Sequence, residues 1–274
     1  MSRVHQALKK AERESSSKAS LPSLPPLRLP RNGLVETLSS PPHEEMRLNP
    51  QTLDLPQAPQ VFDLSKVRDS KLVSIVGPQS IPGKRYRILM TRLRQMRHGS
   101  NRLKTILITS TTFGEGKSLT ALNLALALAL EAKEKVLLVD GNLKRPAIHR
   151  TLDLNPVKGL SDFLSGTIEV EELILATSCP NFSVAPGRTI SSHSMALLNT
   201  QRLGELLADA RERYDWIILD SPPVGPWGDT ELMCGLVDGV LVVVRAAHAP
   251  VELILKTVQT ISAGKILGLV LNAT

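Results

Sequence analysis

Six short runs of almost unbroken apolar residues set the fold: KTILITS, KVLLVD, NFSVA, WIILDS, GVLVVVR and ILGLVLN, all after residue 103. A strand that is apolar at alternate positions shows one face to water. A strand that is apolar throughout is buried on both faces, and most of these are of that kind. Helical periodicity fills most of the intervals, notably 117–132, 194–213 and 251–262. The expected fold class is therefore α/β, a mostly parallel sheet with helices on both faces. A chain of 274 residues accommodates one such domain plus appendages. Aromatics make up only 3%, so Leu, Val, Ile and Ala must build the core.

The N-terminal part differs in character. Of 33 Lys and Arg and 26 Asp and Glu, residues 1–100 hold 17 and 8, leaving 16 and 18 for the rest. The net charge of +7 thus belongs to the N-terminal side. Val4, Ala7, Leu8 and Ala11 have the spacing of a short amphipathic helix over 1–14, with Ser2 as its N-cap. Residues 15–60, rich in Ser, Pro and Leu, are expected to form a disordered linker. Residues 61–274 are expected to form the folded domain. Within it, GKRYRILMTRLRQMRHG reads as a basic helix with Tyr86, Leu89 and Met90 on its apolar side and Lys84, Arg85, Arg92 and Arg94 solvated.

Cys179 and Cys234 lie far apart with no metal-ligand spacing around them, which points to two thiols in a reducing compartment. There is no signal-peptide h-region and no apolar run of membrane-spanning length. The expected location is cytoplasmic, with any membrane association made through a partner.

The strand TILITS runs into TSTTFGEGKS and then into the helix KSLTALNLALALAL, the setting a phosphate-binding loop needs. Gly114 and Gly116 let the backbone turn tightly and aim its N–H groups inward, and the helix N-terminus adds partial positive charge. The expected nucleotide contacts are Phe113, Gly114, Glu115, Gly116, Lys117, Ser118 and Leu119, with Lys117 on the β- and γ-phosphates and the Ser118 hydroxyl on Mg²⁺. Two more apolar strands end in carboxylates, Asp140 in VLLVDGNLKRP and Asp220 in WIILDSPP. Both suit magnesium binding, directly or through water. Thr111 stands where the common loop pattern has its first glycine.

Together these motifs resemble the bacterial tyrosine autokinases of capsule and exopolysaccharide synthesis, P-loop proteins related to the partition and cell-division ATPases. The resemblance runs from about Lys71 to Thr274. The family's loop, S/T-x-x-x-P-G-E-G-K-S/T, matches except that Phe113 replaces proline; VLLVDGNLKRP resembles its second acidic motif, LDSPP its Walker B and KGLSDFLSG a structural segment. By the same resemblance, Asn272 in GLVLN faces adenine. The implied cofactors are ATP and Mg²⁺, and the implied catalytic residues are Lys117, Asp140 and Asp220. Asp140 would orient or deprotonate the attacking hydroxyl while Ser118, Asp140 and Asp220 hold the metal or its water. The implied partner is a membrane-embedded polysaccharide co-polymerase, which would place the protein at the inner face of the plasma membrane.

The chain also departs from the family. Asn142 replaces the second aspartate of D-x-D, and Lys144 an arginine in the same motif. Lys84 and Met90 replace charged residues of a helix used for subunit contacts, so a homo-oligomer would have an altered contact helix over 84–97. The family's terminal tyrosine cluster is absent, and Tyr86 and Tyr214 are the tyrosines available. The expected activity is phosphoryl transfer from MgATP to a tyrosine on a partner or on itself. The alternative is a nucleotide-binding adaptor with ATPase but no kinase activity. A nucleic-acid partner is not expected, because the loop lacks the second lysine of partition ATPases.

Overall fold

The computed structural model describes residues 61–64, 69, 71–100, 103–189, 201–225 and 228–273, with only the backbone of Ser100. The helix expected over 1–14 and the linker over 15–60 lie outside the described residues. In chain order the helices are α1 (Val73–Val76), α2 (Ile81–Ser100), α3 (Lys117–Leu130), α4 (Ile148–Thr151), α5 (Leu160–Leu164), α6 (Val170–Leu173), α7 (Gln201–Arg213), α8 (Asp229–Leu236) and α9 (Val251–Thr260). The strands are β1 (Thr105–Ser110), β2 (Val136–Asp140), β3 (Leu175–Ala176), β4 (Phe182–Ala185), β5 (Trp216–Asp220), β6 (Gly239–Arg245) and β7 (Ile266–Asn272).

The seven strands form one sheet in the order β3-β4-β2-β5-β1-β6-β7. Every pairing is parallel except the two-residue β3 against β4. The strands β1, β2 and β5 are buried at every position, as their unbroken apolar sequences require. Two cores cover the faces. Ile106, Ile108, Val136, Leu138 and Ile218 pack under α2 and α3, and Leu107, Leu137, Ile217 and Leu219 under α7 and α8.

Residues Thr120 to Ala129 of α3 are all buried, because the sheet covers one side of the helix and α1 and α2 the other. That explains its lack of an amphipathic pattern. Asn123, the polar interruption, is fully used: its Oδ1 accepts from Ser74 N–H (3.1 Å) and its Nδ2 donates to the Lys71 and Leu119 carbonyls (each 3.0 Å). It bolts α1 onto the domain. The helix ends at Leu130, two residues before the sequence-based boundary, with the next residue, Glu131, as its C-cap.

Part of the basic helix α2 is neutralised from within the domain, while Lys84, Arg85 and Arg92 are exposed. Arg87 pairs with Glu131, Arg94 and Arg97 with Glu134 (3.4 and 3.8 Å), and Arg97 lies 4.9 Å from the centre of the Trp216 ring. Arg94 was expected to be mostly solvated and instead joins this network. Met90 and Leu93 are buried, and Tyr86 and Leu89 pack against the same core. No helix among the described residues is long and apolar enough to cross a membrane.

Candidate active site

The strands β2, β5 and β1 are neighbours, and their C-terminal ends carry the three charged motifs to one place. This is where parallel α/β sheets bind ligands. Asp140 and Asp220 are register partners across β2 and β5, and Ile108 of β1 is the partner of Asp220 on its other side. The phosphate loop leaves β1 two residues later, after Ser110.

That loop is fastened from several directions. Gly114 and Gly116 adopt φ of +80° and +89°, the left-handed region that disfavours other residues. A side chain on Gly116 would also sit 2.3 Å from Asn272 Nδ2. Asn272 Nδ2 donates to the Glu115 carbonyl (3.0 Å), His248 Nε2 lies 3.3 Å from the Phe113 carbonyl, and Ser110 Oγ donates to the Thr112 carbonyl (2.7 Å). The buried Glu115 carboxylate accepts the Thr112 N–H through Oε2 (2.7 Å). Opposite the loop, the Pro222 carbonyl accepts from the hydroxyls of Thr109, Ser221 and Thr230 at 2.9, 3.0 and 2.9 Å. These bonds fix the turn after Asp220.

The two aspartates differ in their surroundings. Asp140 is tied to its own loop: Oδ2 accepts the N–H groups of Ala147 and Ile148 (3.0 and 3.1 Å), and Oδ1 makes a long contact from Asn142 N–H (3.3 Å). Neither oxygen of Asp220 makes a well-formed hydrogen bond, although the side chain is fully buried and the Ser118 hydroxyl and Ser221 N–H lie nearby. Burial pushes the Asp220 carboxyl up to about 8 and the Asp140 carboxylate adds to that, against Lys117, Ser118 and the Ser221 N–H. Burial likewise raises Asp140 to about 6, against the N–H groups of Ile148, Ala147 and Asn142. Burial lowers the affinity of the Lys117 amine for its proton, Asp220, Glu115 and Asp140 counter that, and Arg145 adds to it.

Buried oxygens without well-formed hydrogen bonds gather here: both of Asp220, Glu115 Oε1, Asn142 Oδ1 and the hydroxyls of Thr111 and Thr112. Native proteins leave few such groups unpaired, so a cluster of them marks a place that completes its bonding with a ligand. Hard carboxylate and amide oxygens suit Mg²⁺, and Lys117 with the loop N–H groups suits phosphate. The donor set therefore fits both groups.

All loop residues named from the sequence meet at this site, together with Asp140, Asp220 and Asn272. Several participants were not anticipated. Asp229 opens α8, is 2% exposed and pairs with Lys144 at 2.9 Å, so the lysine standing in for arginine has a buried carboxylate to neutralise. His248 reaches the loop from the turn after β6. Arg145 stacks on Phe113. An acidic residue just after Gly228 was the one local hint of the first; the other two depend on chain separation that no short motif records. Tyr86 is half-buried, its hydroxyl beside Thr120 and Asn123, and its pKa is raised by burial. Tyr214 packs against the core on the other face of the sheet.

Residues 103–266 match the AAA_31 family, an AAA domain. The chain is 29% identical over 215 residues to the tyrosine-protein kinase YwqD of Bacillus subtilis (strain 168), covering 76% of this chain and 90% of the relative. It is 31% identical over 172 residues to the tyrosine-protein kinase CpsD of Streptococcus agalactiae serotype III (strain NEM316), covering 62% and 74%. The crystal structure of the chimerical protein CapA2B2 superposes with a TM-score of 0.70 at 28% identity, over 79% of this chain and 94% of that one.

Proposed function

The chain belongs to the AAA-domain family, in its bacterial tyrosine-protein kinase branch, and from that premise we propose that it transfers the γ-phosphoryl group of MgATP to a tyrosine hydroxyl in the control of capsule or exopolysaccharide synthesis. The observation that carries the reading is the cluster of buried oxygens without well-formed hydrogen bonds at the ends of β1, β2 and β5, where Asp220, Glu115 and Asp140 act on Lys117.

Each residue then has a task. The loop N–H groups from Gly114 to Ser118 line the inner phosphates, and the Lys117 ammonium neutralises the β- and γ-oxygens as charge shifts between them. Ser118 and Asp220 hold the magnesium ion or its water shell, with Asp140 beside them. When bound, the metal withdraws charge from the phosphoryl oxygens. Asp140, anchored by three backbone N–H groups, keeps its remaining lone pairs fixed in direction, as is needed to orient or deprotonate an attacking hydroxyl. Asn272 is placed at the loop by its bond to Glu115, and its amide is assigned to the adenine edge.

Tyr86 and Tyr214 are both packed against the hydrophobic cores, so the acceptor is assigned to a tyrosine other than these two. A membrane-embedded co-polymerase is the partner we assign, with the protein held at the inner membrane face through it. The helix segment 84–97 is the contact assigned to any homo-oligomer. A second reading, ATP hydrolysis by an adaptor without tyrosine transfer, is favoured by the neutral Asn142 beside Asp140.

Phosphosite mapping after incubation with MgATP, alone and with the co-polymerase's cytoplasmic segment, tests the proposal when ADP release is followed in the same sample. Phosphotyrosine that disappears in Lys117→Ala supports the kinase. Lys117-dependent ADP without phosphotyrosine supports the adaptor, and no Lys117-dependent ADP rejects both.

A further inference from the structure

Two cations converge on one ring at the phosphate loop. The Arg145 guanidinium lies 4.7 Å from the centroid of Phe113, and the Lys117 ammonium lies 5.7 Å from the same centroid. They are close enough for Arg145 to oppose protonation of Lys117. Among the described residues no carboxylate pairs with Arg145. Its neighbours are committed elsewhere: Lys144 to Asp229, Arg150 to the Pro146 carbonyl and Arg188 to Asp162. An exposed guanidinium on a ring, facing a second cation, is a charge arrangement that an anion would complete.

The backbone under Arg145 is fixed. Its N–H donates to the Asn142 carbonyl (3.0 Å), and Pro146 restricts the residue before it. Beyond Pro146, the Ala147 and Ile148 N–H groups are held by Asp140. The arm is thus rooted in the same loop as the carboxylate at the end of β2, across the site from the helix α3 that carries Lys117.

We propose that Arg145 is the residue that distinguishes a nucleoside triphosphate from a diphosphate, leaving the Phe113 ring to bond the terminal phosphoryl group. The proposal rests on the reading of the site as a nucleotide site. An exposed guanidinium on a half-buried ring is weakly held, whereas a guanidinium fork on phosphoryl oxygens makes charge-assisted bonds. The exchange therefore runs toward the phosphate when a third one is present. With a diphosphate bound, Lys117 and the loop N–H groups have their partners and Arg145 stays on the ring. Lysine keeps the charge but loses the fork.

The test is calorimetric titration of the full chain with magnesium–AMP-PNP and with magnesium–ADP, for the wild type, Arg145→Ala, Arg145→Lys and Phe113→Leu. The expected result for Arg145→Ala is a loss of roughly ten- to hundred-fold for AMP-PNP, the worth of a charged hydrogen bond, with ADP changed by less than about two-fold. Arg145→Lys should recover part of the loss. Equal weakening of both nucleotides, shared by Phe113→Leu, would show that Arg145 only braces the loop and would overturn the proposal, as would unchanged AMP-PNP affinity. A wild type that binds neither nucleotide would reject the nucleotide site itself, an outcome visible before any variant is compared.

Discussion

Asp140 and Asp220 occupy the same register position on adjacent parallel strands, so two fully buried carboxylates stand about 4.8 Å apart at the backbone. Like charges that close, and out of water, do not both ionise readily. Burial therefore favours a proton on the pair near neutral pH, against the Lys117 ammonium beside it.

The first prediction concerns the metal. Ionisation of Asp220, raised to about 8, must precede magnesium binding, so affinity should rise as pH increases from about 6 to 8 and binding should release protons. Titrations of Mg²⁺ in two buffers of different ionisation enthalpy check this. A pH-independent affinity with no proton release would contradict it.

The same shift acts on folding. A carboxyl whose folded pKa lies above its ordinary value of 3.8 stabilises the metal-free fold fully at low pH, and that contribution fades as pH climbs through the folded value. Asp220→Asn should therefore raise the melting temperature of metal-free protein at pH 8 by several degrees, at about 2–4 °C per kcal/mol for a domain of this size. At pH 5 the gain should shrink. Thermal melts at the two pH values in EDTA decide the matter.

Asn142 is 3% exposed, with its Oδ1 unpartnered, next to Asp140. Asn142→Asp should tighten Mg²⁺ and raise turnover, because a charged oxygen replaces a neutral one at the metal. It should also destabilise the metal-free protein at pH 8, since it adds a third carboxylate to a buried pair. Activity measured against magnesium concentration, with a melt in EDTA, separates the two effects. A flat or lower turnover would mean that Asn142 does not face the metal.

Tyr86 spends its ring on the core and its hydroxyl on the environment of Thr120 and Asn123. Tyr86→Phe should leave the phosphotyrosine yield unchanged and lower stability by about 1 kcal/mol, the typical worth of a buried hydroxyl's hydrogen bond. Denaturant melts and phosphosite mapping provide the two readouts. Loss of phosphotyrosine with folding intact would make Tyr86 the acceptor.

Gly116→Ala should weaken nucleotide binding, first because φ is +89° and second because the new methyl would sit 2.3 Å from Asn272 Nδ2 and push that side chain off Glu115. Asn272→Ala in the same chain removes the clash but not the backbone strain, so any recovery should be partial. Binding of magnesium–ADP to the single and double variants reads this directly.

The central strands were legible in the sequence because burial on both faces leaves a continuous apolar signature that needs no partner to be recognised. The phosphate loop and the two strand-end aspartates were legible for a related reason: each motif sits within a few residues of the strand that places it. Asn123 was visible only as a break in an apolar run. Its purpose depends on Ser74, which lies 49 residues away and packs against it only after folding. Asp229 and His248 escaped notice on the same grounds. On α2, Lys84, Arg85 and Arg92 are exposed as their sequence setting suggests, whereas the pairing of Arg94 depends on Glu134, which follows a different helix.

The bond from Asn272 to Glu115 spans 157 positions of chain. During synthesis the phosphate loop emerges early, yet the strand that fastens it is translated much later. A nascent chain can therefore build most of the sheet without finishing its nucleotide site. The Glu115 carbonyl therefore gains this partner only once β7 has paired with β6.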